Sequence, residues 1–340
     1  MKKKIACVIL TILTVFSLSA CKGGQEEGKG GSAASPNAKN TEITFCLDWT
    51  PNTNHTGLYV ALEKGYFKEA GLDVTIVQPA ESTSALMVAG GQAQFGIEAQ
   101  DTMASALIGE SPLGITAVAS ILQHNTSGIM SLKGSGIDSP KGLEEKQYST
   151  WDSPIELAML KYLVNKDGGD FDRVKLIPNT ITDEPGALKE KQTDAIWVFY
   201  GWGGIYAEKQ GVDIDFFDFI SLDSVFDYYT PVIIANNDFL KENPSAAKAF
   251  LAAVKKGYEY AISNPEDAAQ ILIRQVPEIG SEDFIVSSQT WLSKQYQADA
   301  ASWGIIDADR WNAFYQWLND NNLVESPLAE NAGFSMDYLE

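Results

Sequence analysis

The fold of this chain is decided by residues 47–67, which read LDWTPNTNHTGLYVALEKGYF. The apolar run at 43–47 predicts a strand, and Pro51 ends it because proline has no N–H to donate to a neighbouring strand. Asn52 suits a turn or a helix N-cap, and the apolar stripe behind it predicts a helix that ends at Gly65. In an open α/β sheet, ligands bind beyond the carboxyl ends of strands, so this loop is a candidate binding site. An ordinary, well-capped βα unit is the alternative.

The rest of the chain alternates predicted strands with predicted helices, which indicates a parallel, doubly wound α/β sheet. Strands are predicted at 72–77, 94–97, 115–122, 129–132, 148–151, 174–177, 195–199 and 232–235, and helices at 84–88, 103–107, 153–165, 185–191, 203–210, 244–262, 265–275, 283–295 and 308–319. Residues 41–340 exceed one ordinary core, so we expect two lobes, one formed by 41–125 with 231–340 and the other by 126–230. The two crossings between lobes predict a hinge that closes over an interlobe ligand cleft.

The first 40 residues have the pattern of an exported lipoprotein. Three lysines precede an apolar run at 5–18, which is shorter than the roughly 20 residues of a membrane span, so 1–20 is predicted to be a signal peptide. The run ends in Leu18-Ser19-Ala20-Cys21, the pattern of a bacterial lipobox, which makes Cys21 the expected lipidation site. A chance cysteine after a signal peptide is the alternative. Residues 21–40 are rich in glycine and lack large apolar side chains, so we expect a flexible tether.

Composition and motifs exclude several functions. The net charge is −20, and a surface of that sign repels nucleic acid, so no nucleic-acid partner is expected. Once the signal and the lipidation site are set aside, only Cys46 remains, which leaves no intramolecular disulfide and no cysteine zinc site. The two histidines, His55 and His124, have no metal-site spacing, and no nucleophile elbow or phosphate-binding loop occurs. We therefore expect no catalytic residue, no metal and no cofactor.

Aromatic residues are concentrated at predicted strand ends and in the loops that follow them. The residues with this placement that we expect to bind ligand are Trp49, Trp151, Tyr200, Trp202 and Tyr229. Trp197 lies within a predicted strand and is assigned to the core. A flat heteroaromatic ligand requires such ring faces for stacking, together with a few amides or carboxylates at its edge. For each of these aromatic residues, a place in the core is the alternative.

Several motifs along the predicted mature chain are similar to those of the ThiY-like thiamine-pyrimidine-precursor binding proteins, which are solute-binding subunits of ABC importers. Besides 47–67, they are 123–128 (QHNTSG), 153–156 (SPIE), 166–171 (KDGGDF), 227–233 (DYYTPVI) and 257–261 (GYEYA). The resemblance implies a two-lobed type 2 periplasmic-binding fold. It also implies capture of an aminopyrimidine-type thiamine precursor, such as formylaminopyrimidine or a hydroxymethylpyrimidine, and delivery to an ABC permease and its ATPase. We expect a monomer on the extracytoplasmic face of the cell membrane, attached through its lipid anchor only.

The expected ligand site comprises Asp48, Trp49, Asn52, His55, Glu98, Asn125, Trp151, Asp152, Tyr200, Trp202 and Tyr229. One departure from the family pattern bears on the ligand itself. The usual Phe-Glu-Gly-Trp-Glu-Gly reads FYGWGG at 199–204, so the glutamate that the family would place against the aminopyrimidine edge is absent at Tyr200. Glu98 or Asp152, both predicted at strand ends, could supply the missing acid. For Glu98, a surface or helix-capping role is the alternative.

A second departure separates this chain from the fungal pyrimidine synthases, which it resembles more distantly. Those enzymes carry a lysine that holds pyridoxal phosphate and a histidine four residues later, where this chain has Glu98 and Thr102. Without the lysine no Schiff base can form at that point, so we expect no enzyme. The remaining alternatives are a receptor for another flat heteroaromatic such as a flavin, a receptor for a small sulfonate, and a cell-surface enzyme that acts on such compounds.

Overall fold

The structure is a computed structural model that describes residues 40–79 and 83–340. The predicted signal peptide, Cys21 and all of the predicted tether except Asn40 lie outside the described residues. Within the described part of the chain, no helix has both the length and the apolar character to cross a membrane.

Two five-stranded sheets organise the described residues. The strands of the first are β1 (Thr41–Cys46), β2 (Leu72–Val77), β3 (Phe95–Glu98), β4 (Ile115–Ser120) and β10 (Val232–Asn236), in the order β2-β1-β3-β10-β4. The strands of the second are β5 (Ser127–Leu132), β6 (Gln147–Thr150), β7 (Lys175–Pro178), β8 (Ala195–Phe199) and β9 (Ile214–Asp218), in the order β7-β6-β8-β5-β9. The two-lobed α/β fold class expected from the sequence is confirmed.

Helices connect the strands and fill the last third of the chain. They are α1 (Thr56–Glu63), α2 (Tyr66–Glu69), α3 (Ser84–Ala89), α4 (Gln100–Ala106), α5 (Pro154–Lys166), α6 (Glu184–Lys189), α7 (Ile205–Lys209), α8 (Phe219–Leu222), α9 (Asn237–Glu242), α10 (Pro244–Ser263), α11 (Pro265–Gln275), α12 (Glu282–Leu292) and α13 (Ala308–Asp320). The predicted strands and helices are all present, with ends displaced by three residues or fewer. The short helices α2, α8 and α9 and the strand β9 were not predicted.

The prediction of wholly parallel sheets was wrong, because each sheet is mixed. In the first sheet β10 runs antiparallel to β3 and β4, and in the second β5 runs antiparallel to β8 and β9. A parallel neighbour requires a crossover connection that begins and ends in the same sheet. The strands that precede β5 and β10 lie in the other sheet. The chain therefore enters β5 and β10 at the end of the sheet where the neighbouring strands finish. Strand β9 escaped prediction because acidic residues at 213, 215 and 218 interrupt its apolar pattern, as is common at an exposed sheet edge.

Helix α10 covers the first sheet and holds the opening segment in place. Phe250 of α10 stacks on Phe95 of β3, with ring centroids 4.1 Å apart. On its other side α10 packs against α1 so closely that a Cβ built on Gly257 would lie 2.0 Å from the Gly57 carbonyl oxygen. Since α1 directly follows the loop at 47–55, this contact fixes the position of that loop.

Candidate functional site

A cleft of about 640 Å³ is lined by loops from both sheets. The first sheet contributes residues 48–50 and 52–54 after β1, and residues 230–231 before β10. The second contributes residue 126, residues 151, 180–182 and 184 after β6 and β7, and residues 197–199 and 201–203 at the end of β8. Most of these positions follow the carboxyl ends of strands, where open α/β sheets bind ligands. The volume suits a small molecule of one or two rings.

Tryptophans from both sheets face this cleft. Trp49 follows β1 and is 59% exposed, and Trp151 follows β6 and is 53% exposed. Among the described large apolar side chains, such exposure is exceptional, and it costs free energy unless the rings meet a ligand. Trp202 also lines the cleft, and its ring packs edge-on against Phe284 at 4.7 Å. The cleft therefore offers aromatic faces on both of its sides.

Asp48, Asn52 and His55 form one hydrogen-bonded unit at the first-sheet side of the cleft. The backbone N–H of Asn52 donates to Nδ1 of His55 at 3.1 Å. Because that nitrogen accepts, the ring proton lies on Nε2, which donates to Oδ1 of Asp48 at 2.9 Å. The buried His55 thus orients the Asp48 carboxylate without lining the cleft itself. Asp48 and Asn52 both line it, together with Trp49, Trp151 and Trp202 from the expected set.

Glu184 is a lining carboxylate that sequence reasoning missed. It is the first residue of α6 and lies at the second-sheet side of the cleft. Burial, and after it the neighbouring Asp183 carboxylate, raises the pKa of Glu184 above its ordinary value. The signal was present in the sequence, because Asp183-Glu184-Pro185 is a typical helix start just after a predicted strand. A helix-capping function would have been the ordinary interpretation, and in the structure Asp183 performs it.

The described lining residues include two carboxylates, Asp48 and Glu184, and no lysine, arginine or histidine. Two further polar atoms at the cleft are buried and have no hydrogen-bond partner, namely Oγ1 of Thr126 and Nε1 of Trp197. Trp197, which the sequence assigned to the core, is both 5% exposed and a lining residue. Unpaired buried polar atoms are costly, so a bound molecule that pairs with them would recover this cost.

Glu98 and Tyr200 are placed outside the lining of the cleft. The Glu98 carboxylate accepts from Thr102 Oγ1 at 2.6 Å and from the Ala99 N–H at 3.2 Å, just before α4, whose N-cap residue Ala99 makes no side-chain cap. Burial raises the pKa of Glu98 to about 6. A π-helical turn at Tyr200–Gly204 rotates the Tyr200 ring against Trp291, and its hydroxyl donates to Glu208. The turn leaves Gly201 and Trp202 at the cleft instead.

Asn125, Asp152 and Tyr229 are likewise not among the lining residues. Two segments cross between the sheets, the first from β4 to β5 and the second from β9 to β10. Asn125 joins these two crossings, since its Nδ2 donates to the Phe226 carbonyl at 2.9 Å. Asp152 is exposed, lies outside helix and strand, and has a positive φ of 61°. Tyr229 is fully buried, and its hydroxyl accepts from the Asp307 N–H at 2.8 Å. The sequence placed these residues near strand ends, but the direction of each side chain depends on contacts with distant segments.

A charged cluster ties the two crossings together beside the cleft. His124 lies in the first crossing, and its Nδ1 donates to Asp227 of the second at 2.7 Å while its Nε2 donates to Asp299 at 2.9 Å. Carboxylates only accept, so both ring nitrogens carry protons and His124 is cationic. Arg310 adds a second contact to Asp227 at 3.4 Å. The hydrogen bond to Asp227 is the main reason that the pKa of His124 is raised.

Replacing His124 with glutamine is expected to flatten the dependence of stability on pH. Since the folded-state pKa of His124 lies above the unfolded value of about 6.5, its stabilisation is complete below that pH and is lost as pH rises through the folded-state pKa. At pH 6 the free energy of unfolding of the wild type should exceed that of the variant by about 1–3 kcal/mol, the scale of hydrogen bonds to charged groups. Urea unfolding between pH 6 and 9 measures the difference. Parallel curves for the two proteins would contradict this assignment.

Comparison with known proteins gives the family. Residues 52–268 match the family described as NMT1/THI5 like, which is more than half of the chain. The chain belongs to the NMT1/THI5-like family. This NMT1/THI5-like protein is 26% identical to the formylaminopyrimidine-binding protein of Halalkalibacterium halodurans, over 96% of this chain and 97% of that protein. It is 27% identical to a 4-amino-5-hydroxymethyl-2-methylpyrimidine phosphate synthase of Saccharomyces cerevisiae, over 71% of this chain and 73% of that one.

Solved structures support the fold of this NMT1/THI5-like protein. The periplasmic aliphatic sulphonate binding protein SsuA of Escherichia coli superposes with a TM-score of 0.67 at 13% identity, over 88% of this chain and 98% of that chain. At this identity the likeness establishes the fold alone. The resemblance on which the sequence analysis relied is confirmed, both for the family and for the binding-protein fold.

Proposed function

We propose that this protein is the extracytoplasmic solute-binding component of an ABC importer and that it captures an aminopyrimidine-type thiamine precursor. The observation that carries the proposal is the chemistry of the cleft: exposed tryptophan faces on both sides, two carboxylates and no cation among the described lining residues. A flat aromatic ring with amino groups complements this set, because the ring stacks and the N–H groups donate to carboxylates. The likeness to a formylaminopyrimidine-binding protein supports the same ligand class.

The same charges argue against a sulfonate ligand. A sulfonate is a permanent anion and requires cationic or N–H donors to replace its water. The described lining residues supply two carboxylates and no Lys, Arg or His side chain, so a sulfonate would meet repulsion. This chain shares its fold with a sulphonate binding protein, but a shared fold does not imply a shared ligand.

Position 98, where the fungal synthases would carry their lysine, does not support a synthase activity. Where the fungal enzymes would carry the lysine for pyridoxal phosphate, the structure has Glu98, whose carboxylate accepts from Thr102 and the Ala99 N–H. A carboxylate cannot form a Schiff base with an aldehyde. The described lining residues of the cleft also lack a lysine. We therefore propose a receptor and not an enzyme.

A ligand-binding assay with mass spectrometry tests this function. Formylaminopyrimidine should bind, raise the melting temperature and be recovered unchanged after incubation, since ligand at 100 times its dissociation constant adds about 2.7 kcal/mol of stability. Flavin mononucleotide and an alkanesulfonate serve as comparison ligands. Conversion of the pyrimidine would contradict the receptor proposal, and stabilisation by the sulfonate alone would contradict the ligand class.

The proposed attachment to the membrane rests on Cys21 and has its own test. Changing Cys21→Ser should release the protein from the membrane fraction or leave its signal uncleaved, because the acyl chains that hold it could no longer be added. Fractionation followed by intact-mass measurement gives the result. A Cys21→Ser protein that sediments with membranes at the processed mass would exclude lipid anchoring at this cysteine.

A further inference from the structure

Glu184 is a half-buried acid at the edge of the open cleft. Its side chain lines the cleft from the second-sheet side, and no ion pair involves it among the described residues. Burial is the main reason that its pKa is raised. A hydrogen bond from its own backbone N–H offsets part of this effect on the pKa. A partly desolvated carboxylate that gains no cation costs free energy, so its remaining lone pairs are left for a ligand.

The other lining acid already has a side-chain donor. Asp48 accepts from Nε2 of His55 at 2.9 Å, and that histidine is fixed in turn by the Asn52 N–H. Tyr200 stands where the family resemblance would place a glutamate, and its hydroxyl donates to Glu208. Among the described lining residues, Glu184 is therefore the carboxylate with no side-chain donor of its own.

We propose that Glu184 is the specificity-determining residue that binds the amino edge of the ligand. This inference rests on the proposed function. An aminopyrimidine presents an exocyclic N–H donor beside a ring nitrogen, and one carboxyl group can bind both if a single proton is shared with that nitrogen. The first carboxyl oxygen accepts from the amino group, and the second shares the proton. The neighbouring acid is Asp183 on the same loop, and the other described lining acid is Asp48.

Two buried polar atoms of the cleft are also left for the ligand. Nε1 of Trp197 and Oγ1 of Thr126 line the same cleft, lie in residues more than nine-tenths buried, and have no partner. These atoms offer hydrogen bonds to polar atoms elsewhere on the ligand. In the proposed complex Glu184 binds one edge of the ring, and Thr126 and Trp197 remain for a substituent.

Calorimetry with formylaminopyrimidine and its 4-oxo counterpart tests this role. Wild type should prefer the amino compound by about 10- to 100-fold, the scale of hydrogen bonds to a charged group. Glu184→Ala should lose that factor in affinity for the amino compound. Glu184→Gln should bind both compounds within about threefold of each other, because a primary amide carries a donor and an acceptor and can rotate to match either edge.

Glu190→Gln is the matched control, since Glu190 lies just after the same helix, is exposed, and is not a lining residue. It should bind like the wild type. If Glu184→Gln keeps the full preference, or Glu184→Ala binds the amino compound as tightly as wild type does, this role of Glu184 is excluded while the receptor function stands. A wild-type protein that binds neither compound would overturn the proposed function and this inference with it.

Discussion

Trp151→Ala is expected to weaken binding of an aminopyrimidine by about 10- to 100-fold, because stacking of a base on an aromatic side chain contributes about 1–3 kcal/mol. Trp151 lines the cleft from the second sheet and is 53% exposed, so its removal leaves no buried cavity. The melting temperature without ligand should therefore change little. Titration calorimetry gives the affinity, and quenching of tryptophan fluorescence by ligand should fall in the same variant.

Trp151→Phe is the control for this prediction, since phenylalanine keeps a ring face and loses only part of its area. It should recover most of the affinity that Trp151→Ala loses. Trp49→Ala should resemble Trp151→Ala, because Trp49 lines the same cleft from the first sheet and is also exposed. If Trp151→Ala binds as the wild type does and only Trp49→Ala is impaired, the ligand stacks on one lobe and not between two rings.

The second large effect is expected from Gly257→Ala, which should destabilise the protein by about 1–3 kcal/mol, the cost of overpacking a close contact. The added methyl would lie 2.0 Å from the Gly57 carbonyl oxygen and 3.1 Å from Cβ of Ala61, so α1 and α10 must separate. Helix propensity alone gives the opposite sign, because alanine exceeds glycine by about 1 kcal/mol inside a helix. Ligand affinity should fall as well, since α1 carries the loop at 47–55.

Gly114→Ala is the matched control for the close contact. A Cβ at Gly114 would have its nearest neighbour at 4.0 Å, on Asn237, and the backbone there is not left-handed. Its stability in urea should match or slightly exceed that of the wild type. A Gly257→Ala protein more stable than the wild type would mean that α1 and α10 adjust freely, and the loop would then owe its position to other contacts.

The amino-acid sequence by itself determined the elements and the family. Periodic apolar runs located the strands and most helices within three residues, because burial on one face imposes a period that a single chain displays. The opening motif placed Asp48, Trp49 and Asn52 at a strand end, and the structure puts all three at the cleft. Local spacing was sufficient there, since a strand, a turn and a capped helix are specified by neighbouring residues.

Only the tertiary structure decided strand direction and which side chains reach the cleft. The antiparallel entry of β5 and β10 follows from crossings between the sheets, which no local pattern records. Tyr200 turns away through a π-helical turn and a hydrogen bond to Glu208, while Glu184 reaches the cleft from a loop that resembles an ordinary helix start. Side-chain direction depends on packing against residues distant in the sequence. For this reason the sequence located the loops of the site, but the acid that we propose as a ligand contact could be chosen only from the folded structure.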